Sequence, residues 1–366
     1  MGRRVRIAVD AMGGDHAPAA TVHGAVEACR MADGGVEVVL VGEECAVREE
    51  LRKHFRIAHL PIEIVHASQH IAMGEAPAQA VRQKPDSSIV LAMRLLRDQQ
   101  VDGVVSAGNT GAVMTAALLH LGRIPGVRRP AIGVLLPREN GRGLLIDAGA
   151  NVDCRPRDLL QFAVMGSVFM GVLFDLERPR VGLLNVGEEP GKGTELVQRA
   201  YELLQASDLN FVGNVEGRDV LHDLADVVVT DGFTGNVLLK FGESFGGLYT
   251  ASLRRRIGKQ VFRMLGAWLL KPTFRRLREI FDYQQYGGAP LLGVQGTVII
   301  GHGKSSPRAI RNAIREARKM IEGRVNERIA EQLTQWDGVD RDEANGVDDQ
   351  GVGVRSSRKT ADQFRS

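Results

Sequence analysis

A lysine set in a glycine loop offers the first chemistry in this chain. Leu183 to Thr194 reads Leu-Leu-Asn-Val-Gly-Glu-Glu-Pro-Gly-Lys-Gly-Thr. Arg180 to Asn185 is a short apolar run bounded by turn residues, the pattern of a buried strand. Glu195 to Gln205 shows helical periodicity, so the spacing predicts strand, glycine loop, helix. Backbone N–H groups and the positive end of the helix dipole face such a loop. Lys192 adds a full positive charge, with Gly193 and Thr194 beside it. A phosphate fits that arrangement; an ordinary turn with a solvent lysine has the same pattern. The loop is not a Walker A motif, because Gly187 to Lys192 is one residue too short and Gly193 follows the lysine. Nucleotide hydrolysis is therefore not implied.

Other polar turns follow other apolar runs. Val5 to Asp10 leads into Gly13, Gly14 and Asp15. Val101 to Ser106 breaks at Ala107-Gly-Asn-Thr-Gly111, which brings Asn109 and Thr110 beside Ser106. Asp226 to Thr230 ends in Asp231-Gly-Phe-Thr-Gly-Asn236, with Gly235 and Asn236 at its close. Thr297 to Gly301 gives way to His302-Gly-Lys-Ser-Ser306. If the strands are parallel, these turns and Asn185 to Thr194 line one edge of the sheet, where open α/β sheets bind ligands. Their wealth of backbone donors favours a phosphate or an oxyanion over an apolar ligand.

Competing chemistries find less support. No Gly-x-Ser-x-Gly elbow is present. Cys154 beside Arg155 reads as a structural thiol. His302 suits general acid/base work, anion donation or plain structural bonding. Asp10, Asp15, Asp147, Asp153 and Asp231 all end strands, where aspartate is ordinary turn and cap chemistry, so no metal is expected. The first strand is not followed by Gly-x-Gly-x-x-Gly, so no nicotinamide cofactor is expected.

The elements that must carry these turns alternate regularly. About ten strand candidates, among them Val36 to Gly42, Ile62 to His66, Ala131 to Pro137, Leu144 to Gly149 and Asn210 to Val215, are separated by amphipathic or buried helices. That alternation predicts an α/β fold with a large, mainly parallel sheet covered on both faces. Residues 1–335 read as a single domain. Pro307 suits a first helical position, and Ile310, Ile314, Ala317, Ile321, Val325 and Ile329 mark one face of a long terminal helix. The polar stretch 336–366 reads as a disordered tail.

One region breaks the alternation. Residues 237–286 are continuously helical in pattern, which suggests a projecting helical hairpin. Its tip is apolar and contains Leu265, Trp268 and Leu269. Arg254, Arg255, Arg256 and Lys259 precede the tip, and Arg275 and Arg276 follow it. Apolar residues and a tryptophan beside cations describe an interfacial membrane element; a dimer interface or hairpin core with a solvated charged face has the same pattern.

Composition sets the outer bounds. A hydrophobic share of 44% with 25% charged residues is that of a soluble globular chain. A net charge of +3 gives no general affinity for polyanions, so no nucleic-acid partner is expected. Cys29, Cys45 and Cys154 are too scattered for a disulfide framework, which points to a reduced cytosolic setting. The opening Met-Gly-Arg-Arg lacks the apolar core of a signal peptide.

Several strings taken in order carry a resemblance. Ile7-Ala-Val-Asp-Ala-Met-Gly-Gly-Asp15, Val105-Ser-Ala-Gly-Asn-Thr-Gly-Ala112, Gly149-Ala-Asn-Val-Asp153 and Leu184-Asn-Val-Gly-Glu-Glu188 with Lys192-Gly193 resemble the phosphate acyltransferase family. These are the acyl-acyl carrier protein:phosphate transacylases of bacterial phospholipid synthesis. Gly213-Asn-Val-Glu-Gly217, Thr230 to Asn236, Gly288 to Gly293 and His302-Gly303 match as well. The stretch Met73 to Lys84 departs from the pattern, with Glu75 where aspartate is expected, and the tail after Trp336 is peculiar to this chain.

The resemblance implies a three-layer α/β/α fold like that of isocitrate and isopropylmalate dehydrogenases, without their dinucleotide. It implies a homodimer, cytoplasmic and peripherally membrane-associated. It implies transfer of a fatty acyl group from acyl carrier protein to inorganic phosphate, the acyl phosphate passing to a membrane glycerol-3-phosphate acyltransferase. No cofactor is implied. On this basis Lys192 and Asp231 are the catalytic candidates: Lys192 with the amides of Gly193 and Thr194 holds phosphate or the oxyanion, and Asp231 orients Lys192 or a phosphate proton. Asn109 and Asn236 supply side-chain donors. Gly13, Gly14, Asp15, Ser106, Thr110, Asn185, Glu188, Gly235 and His302 complete the phosphate and substrate set. The hairpin arginines suit an acidic carrier protein. The alternatives are a phosphotransacylase using acyl-CoA and a non-catalytic membrane scaffold for fatty acid enzymes.

Overall fold

The computed structural model describes residues 4–32, 35–257, 269–270, 272, 285 and 287–343. Its strands are β1 (Val5–Asp10), β2 (Val36–Gly42), β3 (Ile62–His66), β4 (Gly103–Ser106), β5 (Ala131–Arg138), β6 (Gly141–Ile146), β7 (Arg180–Leu184), β8 (Asn210–Val215), β9 (Val227–Val229), β10 (Ala289–Leu292) and β11 (Thr297–Ile300). The helices are α1 (Ala19–Met31), α2 (Glu44–Arg52), α3 (Pro77–Gln83), α4 (Ser88–Arg97), α5 (Thr110–His120), α6 (Pro156–Phe174), α7 (Glu195–Gln205), α8 (Gly232–Ile257), α9 (Pro307–Glu322) and α10 (Val325–Glu343).

All of these strands join one sheet in the order β3-β2-β1-β4-β11-β10-β5-β6-β9-β7-β8. Alternate residues of β1 go to opposite faces, as the period of two requires. Ile7 and Val9 join a cluster with Val22 of α1, Phe162 and Phe169 of α6 and Ile310 of α9. Ala8 joins Ile89 and Met93 of α4 and Val113 and Ala116 of α5 on the other side. The result is three layers, helix on sheet on helix, as the sequence pattern predicts.

Direction within the sheet matters more for the site than its size. β3, β2, β1, β4 and β11 are mutually parallel. β10 is antiparallel to both β11 and β5, and β5 is antiparallel to β6. β6, β9, β7 and β8 are again mutually parallel. These reversals leave the second set running opposite to the first.

All ten expected strands are present. The eleventh, β10, is a four-residue run containing Pro290, too short and too irregular to show period-two alternation. The expected single terminal helix is two, because Gly323 ends α9 and Arg324 turns left-handed at φ 54°. The tail expected from residue 336 is helical as far as Glu343; residues 344–366 lie outside the described residues.

Helix α6 is long and apolar enough to cross a membrane by length and composition. It lies instead against the sheet, with Phe162, Met165 and Phe169 fully buried. Each such side chain contributes roughly 1.5–3 kcal/mol by leaving water. Of the region predicted as a hairpin, residues 237–257 belong to α8 and most of the rest lies outside the described residues. Lys259, Leu265, Trp268, Arg275 and Arg276, and the side chain of Arg254, lie outside the described residues; Arg255, Arg256 and Leu269 are exposed.

Candidate functional site

Because the sheet halves run oppositely, the five polar turns do not share one edge. The turns after β1, β4 and β11 stand at one end. Those after β7 and β9, together with the further turn after β6, stand at the carboxyl ends of strands pointing the other way. The expectation of a single row fails on the β10 and β5–β6 reversals.

The first end is organised by Asp10, which is 1% exposed. Ser106 Oγ donates to its Oδ2 at 2.7 Å, and the Met12 N–H donates to its Oδ1 at 3.1 Å. Burial pushes the Asp10 carboxyl above the usual carboxylate value, against the pull of bonds from Ser88, Ser106 and Met12. Gly13 must be glycine here, since a Cβ would stand 2.4 Å from Asp10 Oδ2. Gly14 takes φ 101°, and the Asp15 N–H donates to the Gly303 carbonyl at 2.7 Å. A cavity of about 350 Å³ opens nearby, lined in part by His16, His23, Lys304 and Ser306. His302 is exposed, and its Nδ1 accepts from the Lys304 N–H at 3.0 Å.

Asn109 belongs to this end, and its side chain is fully engaged by the protein. Its Oδ1 caps α5 by accepting from Ala112, and its Nδ2 donates to the carbonyls of Met73 and Glu75. Thr110 is the exposed first residue of α5. Glu75 pairs with Lys84 at 2.7 Å. The Lys84 ammonium and the Ala72 N–H hold its carboxyl below the ordinary glutamate value.

At the opposite end Asp147 is the buried anchor. Its Oδ1 accepts from the N–H groups of Ile132, Gly149 and Ala150, and its Oδ2 from the N–H and Nδ2 of Asn151. Burial raises its pKa, and these donors oppose the rise. The start of α8 presses onto this loop. The Gly232 N–H donates to the Asn151 carbonyl at 2.7 Å, and a Cβ on Gly235 would stand 2.0 Å from the Asp147 carbonyl. Asp231 caps α8 through the N–H and Oγ1 of Thr234 at 2.9 and 2.7 Å, and forms no ion pair with Lys192 among the described residues. Asn236 is exposed beside Gly149. Cys154 is pushed up to about 12, mainly by burial and next by Asp147, so its thiol stays protonated and is no nucleophile at neutral pH.

The Lys192 loop stands next to that cap, because β7 pairs with β9 in parallel register, Leu183 opposite Val229. Asn185 Nδ2 donates to the Lys192 carbonyl at 3.0 Å, and its Oδ1 accepts from Val186. Gly193 takes φ 87°. Thr194 caps α7 through its Oγ1. Among the described residues, the N–H groups of Gly191, Gly193 and Thr194 donate to no protein acceptor, and Lys192 Nζ makes no ion pair. Glu188 is exposed, 3.6 Å from Arg218. Its carbonyl accepts from Asn214 Nδ2 at 3.4 Å.

The candidates thus divide. Asn185, Lys192, Gly193, Thr194, Asp231, Gly235 and Asn236 share one end; Gly13, Gly14, Asp15, Ser106, Asn109, Thr110 and His302 share the other. Asn214 and Gln198 escaped the reading of the sequence as site residues, although both bind carbonyls of the Lys192 loop. Only the string Gly213 to Gly217 hinted at Asn214.

The comparisons with known proteins bear on this geometry. A family model described as "Fatty acid synthesis protein" matches residues 5–328. The phosphate acyltransferase of Dictyoglomus turgidum is 49% identical over 334 residues, 90% of this chain and 98% of its own length. That of Brevibacillus brevis is 48% identical over 330 residues, 90% and 97% of the two chains. Among solved structures, a phosphotransacetylase from Streptococcus pyogenes superposes with a TM-score of 0.60 at 19% identity, covering 88% of this chain and 95% of the other. A branched-chain phosphotransacylase from Enterococcus faecalis gives 0.57 at 14% identity, covering 87% and 99%. At those identities the likeness is one of fold.

Proposed function

The chain belongs to the phosphate acyltransferase family, and from that footing we propose that the Lys192 loop seats the attacking phosphate and that the acyl donor is a fatty acyl-acyl carrier protein. The observation that carries this reading is the loop itself. There, N–H groups of Gly191, Gly193 and Thr194 without a partner among the described residues, a helix N-terminus and an ammonium outside any described ion pair converge on one turn.

Phosphate is its own nucleophile, partly dianionic near neutral pH, so no serine or cysteine is required. A phosphate oxygen attacks the thioester carbonyl, the C–O bond forms, and charge gathers on the carbonyl oxygen. Collapse breaks the C–S bond, and the carrier thiolate takes up the proton that the hydrogen phosphate gives up, leaving as free thiol. The loop's first task is proximity. Its second is charge stabilisation, where one preorganised donor is worth roughly 3–4 kcal/mol. Asp231 acts by fixing the start of α8 beside the loop, with Asn236 as a further exposed donor.

The finer setting is proposed on the same basis. α8 presents Phe233, Val237, Phe241, Phe245 and Leu248 to solvent at near-helical spacing, a stripe suited to a second copy of the chain. The exposed Arg255 and Arg256, with Arg254, Lys259, Arg275 and Arg276, suit an acidic carrier protein. The apolar stretch containing Leu265, Trp268 and Leu269 suits a membrane surface, where a cytoplasmic enzyme would meet the glycerol-3-phosphate acyltransferase that consumes its product.

The test is acyl phosphate formation from palmitoyl-acyl carrier protein or palmitoyl-CoA, with phosphate varied. Phosphate-dependent release of free carrier protein, lost in Lys192→Met, is expected. Turnover of acyl-CoA alone would replace the donor, full activity of Lys192→Met would remove the phosphate assignment, and no turnover of either would favour the scaffold.

A further inference from the structure

The carbonyls of the Lys192 loop are taken one after another by side-chain amides from three different elements. Asn214, on β8, donates through Nδ2 to Glu189 at 2.9 Å and to Glu188 at 3.4 Å. Gln198, on α7, donates through Nε2 to Gly191 at 2.9 Å and Gly193 at 3.1 Å. Asn185, at the end of β7, takes Lys192 at 3.0 Å. With the Lys192 and Gly193 carbonyls engaged this way, the peptides they share with Gly193 and Thr194 keep N–H groups that no acceptor among the described residues uses, and the Gly191 N–H is likewise unused.

We infer that Asn214 and Gln198 are positioning residues that set phosphate affinity by holding the loop's carbonyls away from the anion. This rests on the reading of the loop as the phosphate seat. Two features separate it from simple loop packing. Asn214 is 5% exposed, and its Oδ1 is buried without a partner. An unpaired buried acceptor is costly, so an apolar residue of similar size would suit a role of packing alone; the amide adds its pair of bonds to the loop. Gln198 reaches its carbonyls from the first turn of a helix that Thr194 already caps, so its bonds to Gly191 and Gly193 are not needed to start α7. A carbonyl that rotates inward turns its oxygen toward the phosphate and carries the neighbouring N–H away. One such exchange trades attraction for repulsion without touching Lys192.

The experiment is steady-state kinetics of the full chain with palmitoyl-acyl carrier protein and inorganic phosphate, for Gln198→Met, Asn214→Ala and the double variant. Thermal melting is followed alongside. Gln198→Met keeps the length of a half-exposed side chain, so it keeps the proposal testable if Asn214→Ala fails to fold. The expected result is a rise of about tenfold in the KM for phosphate in each single variant. The KM for the acyl donor stays within about twofold, and the double variant falls short of the product of the singles because both hold one loop. Gln198→Glu, isosteric but unable to donate, behaves as Gln198→Met or worse. An unchanged KM for phosphate in folded Gln198→Met and Gln198→Glu, with Lys192→Met still inactive, overturns the clamp and leaves the phosphate seat standing. Full activity in Lys192→Met overturns both.

Discussion

Ser106 Oγ donates to Asp10 Oδ2 at 2.7 Å, and this one buried bond ties the carboxyl end of β4 to that of β1. The same hydroxyl accepts from the Gly108 N–H at 3.1 Å, so it also shapes the turn that leads to α5. Removing it leaves a buried carboxyl with one donor fewer. Ser106→Ala is expected to lower stability by about 1–3 kcal/mol, read as a shift in the urea midpoint at unchanged slope.

Gly193 tests the loop from its backbone. At φ 87° a side chain is strained, and a Cβ would stand 2.3 Å from Asn185 Oδ1. Gly193→Ala must displace either Asn185 or the loop. The expected outcome is at least a tenfold rise in the KM for phosphate with a melting temperature within a few degrees of the parent, since the turn lies at the surface.

Asp226 joins the carboxyl end of β5 to the amino ends of β7 and β9. Arg138 donates to it at 2.8 Å, and Arg180 binds it through its N–H and guanidinium. Burial opposes ionisation, but these bonds outweigh it and hold the carboxyl down at about 2, against 3.8 unfolded. The depressed value makes its contribution to stability fully present above the unfolded pKa and lost as pH falls through about 2. Asp226→Asn is expected to lose about 2 kcal/mol or more at pH 7. Its stability should also fall less steeply than the parent's between pH 4 and pH 2, by urea titration at each pH.

Glu316 on α9 behaves in the reverse sense. It is 7% exposed with Oε1 unpartnered. Burial raises it to about 8 despite Arg142, Arg315 and Lys319. A raised folded value means its stabilising contribution is complete below the unfolded pKa of 4.5 and is lost as pH rises toward 8. Glu316→Gln is therefore expected to match the parent near pH 4.5 and to exceed it at pH 8, by at most about 4–5 kcal/mol at roughly 1.4 kcal/mol per pH unit. Equal slopes of stability against pH for the two proteins would contradict this.

The layers were legible in the sequence because β1, β2, β7 and β9 are apolar runs cut off within a residue or two by glycine, aspartate or asparagine, and because α9 keeps Ile310, Ile314 and Ala317 on one face. β10 was not, since Pro290 in a four-residue run has no period to read. Direction was not read from the sequence either: Asn140-Gly141 between two apolar runs is a local hairpin signal for the β5–β6 reversal, but nothing local announces that β10 runs against both of its neighbours. The site divides in the same way. Lys192, Gly193 and Thr194 were visible as a local string. Asp231 was visible too, but its nearest acceptor task was three residues away at Thr234. Asn214 and Gln198 reach the loop from separate elements, and no spacing along the chain announces a contact made in space.

The order of the sheet has a consequence for how the chain comes together. β4 and β5 are close in sequence, yet β11 and β10 stand between them. Until residues 289–300 exist, an emerging chain can form two half-sheets but cannot join them. Each then has an open edge, at β4 and at β5, of the kind that invites pairing with another chain. The centre of the sheet is thus the last part made, closed by the segment Ala289–Ile300. A chain cut short before Ala289 would carry most of the enzyme's core and two unprotected edges, a species suited to aggregation rather than to partial function.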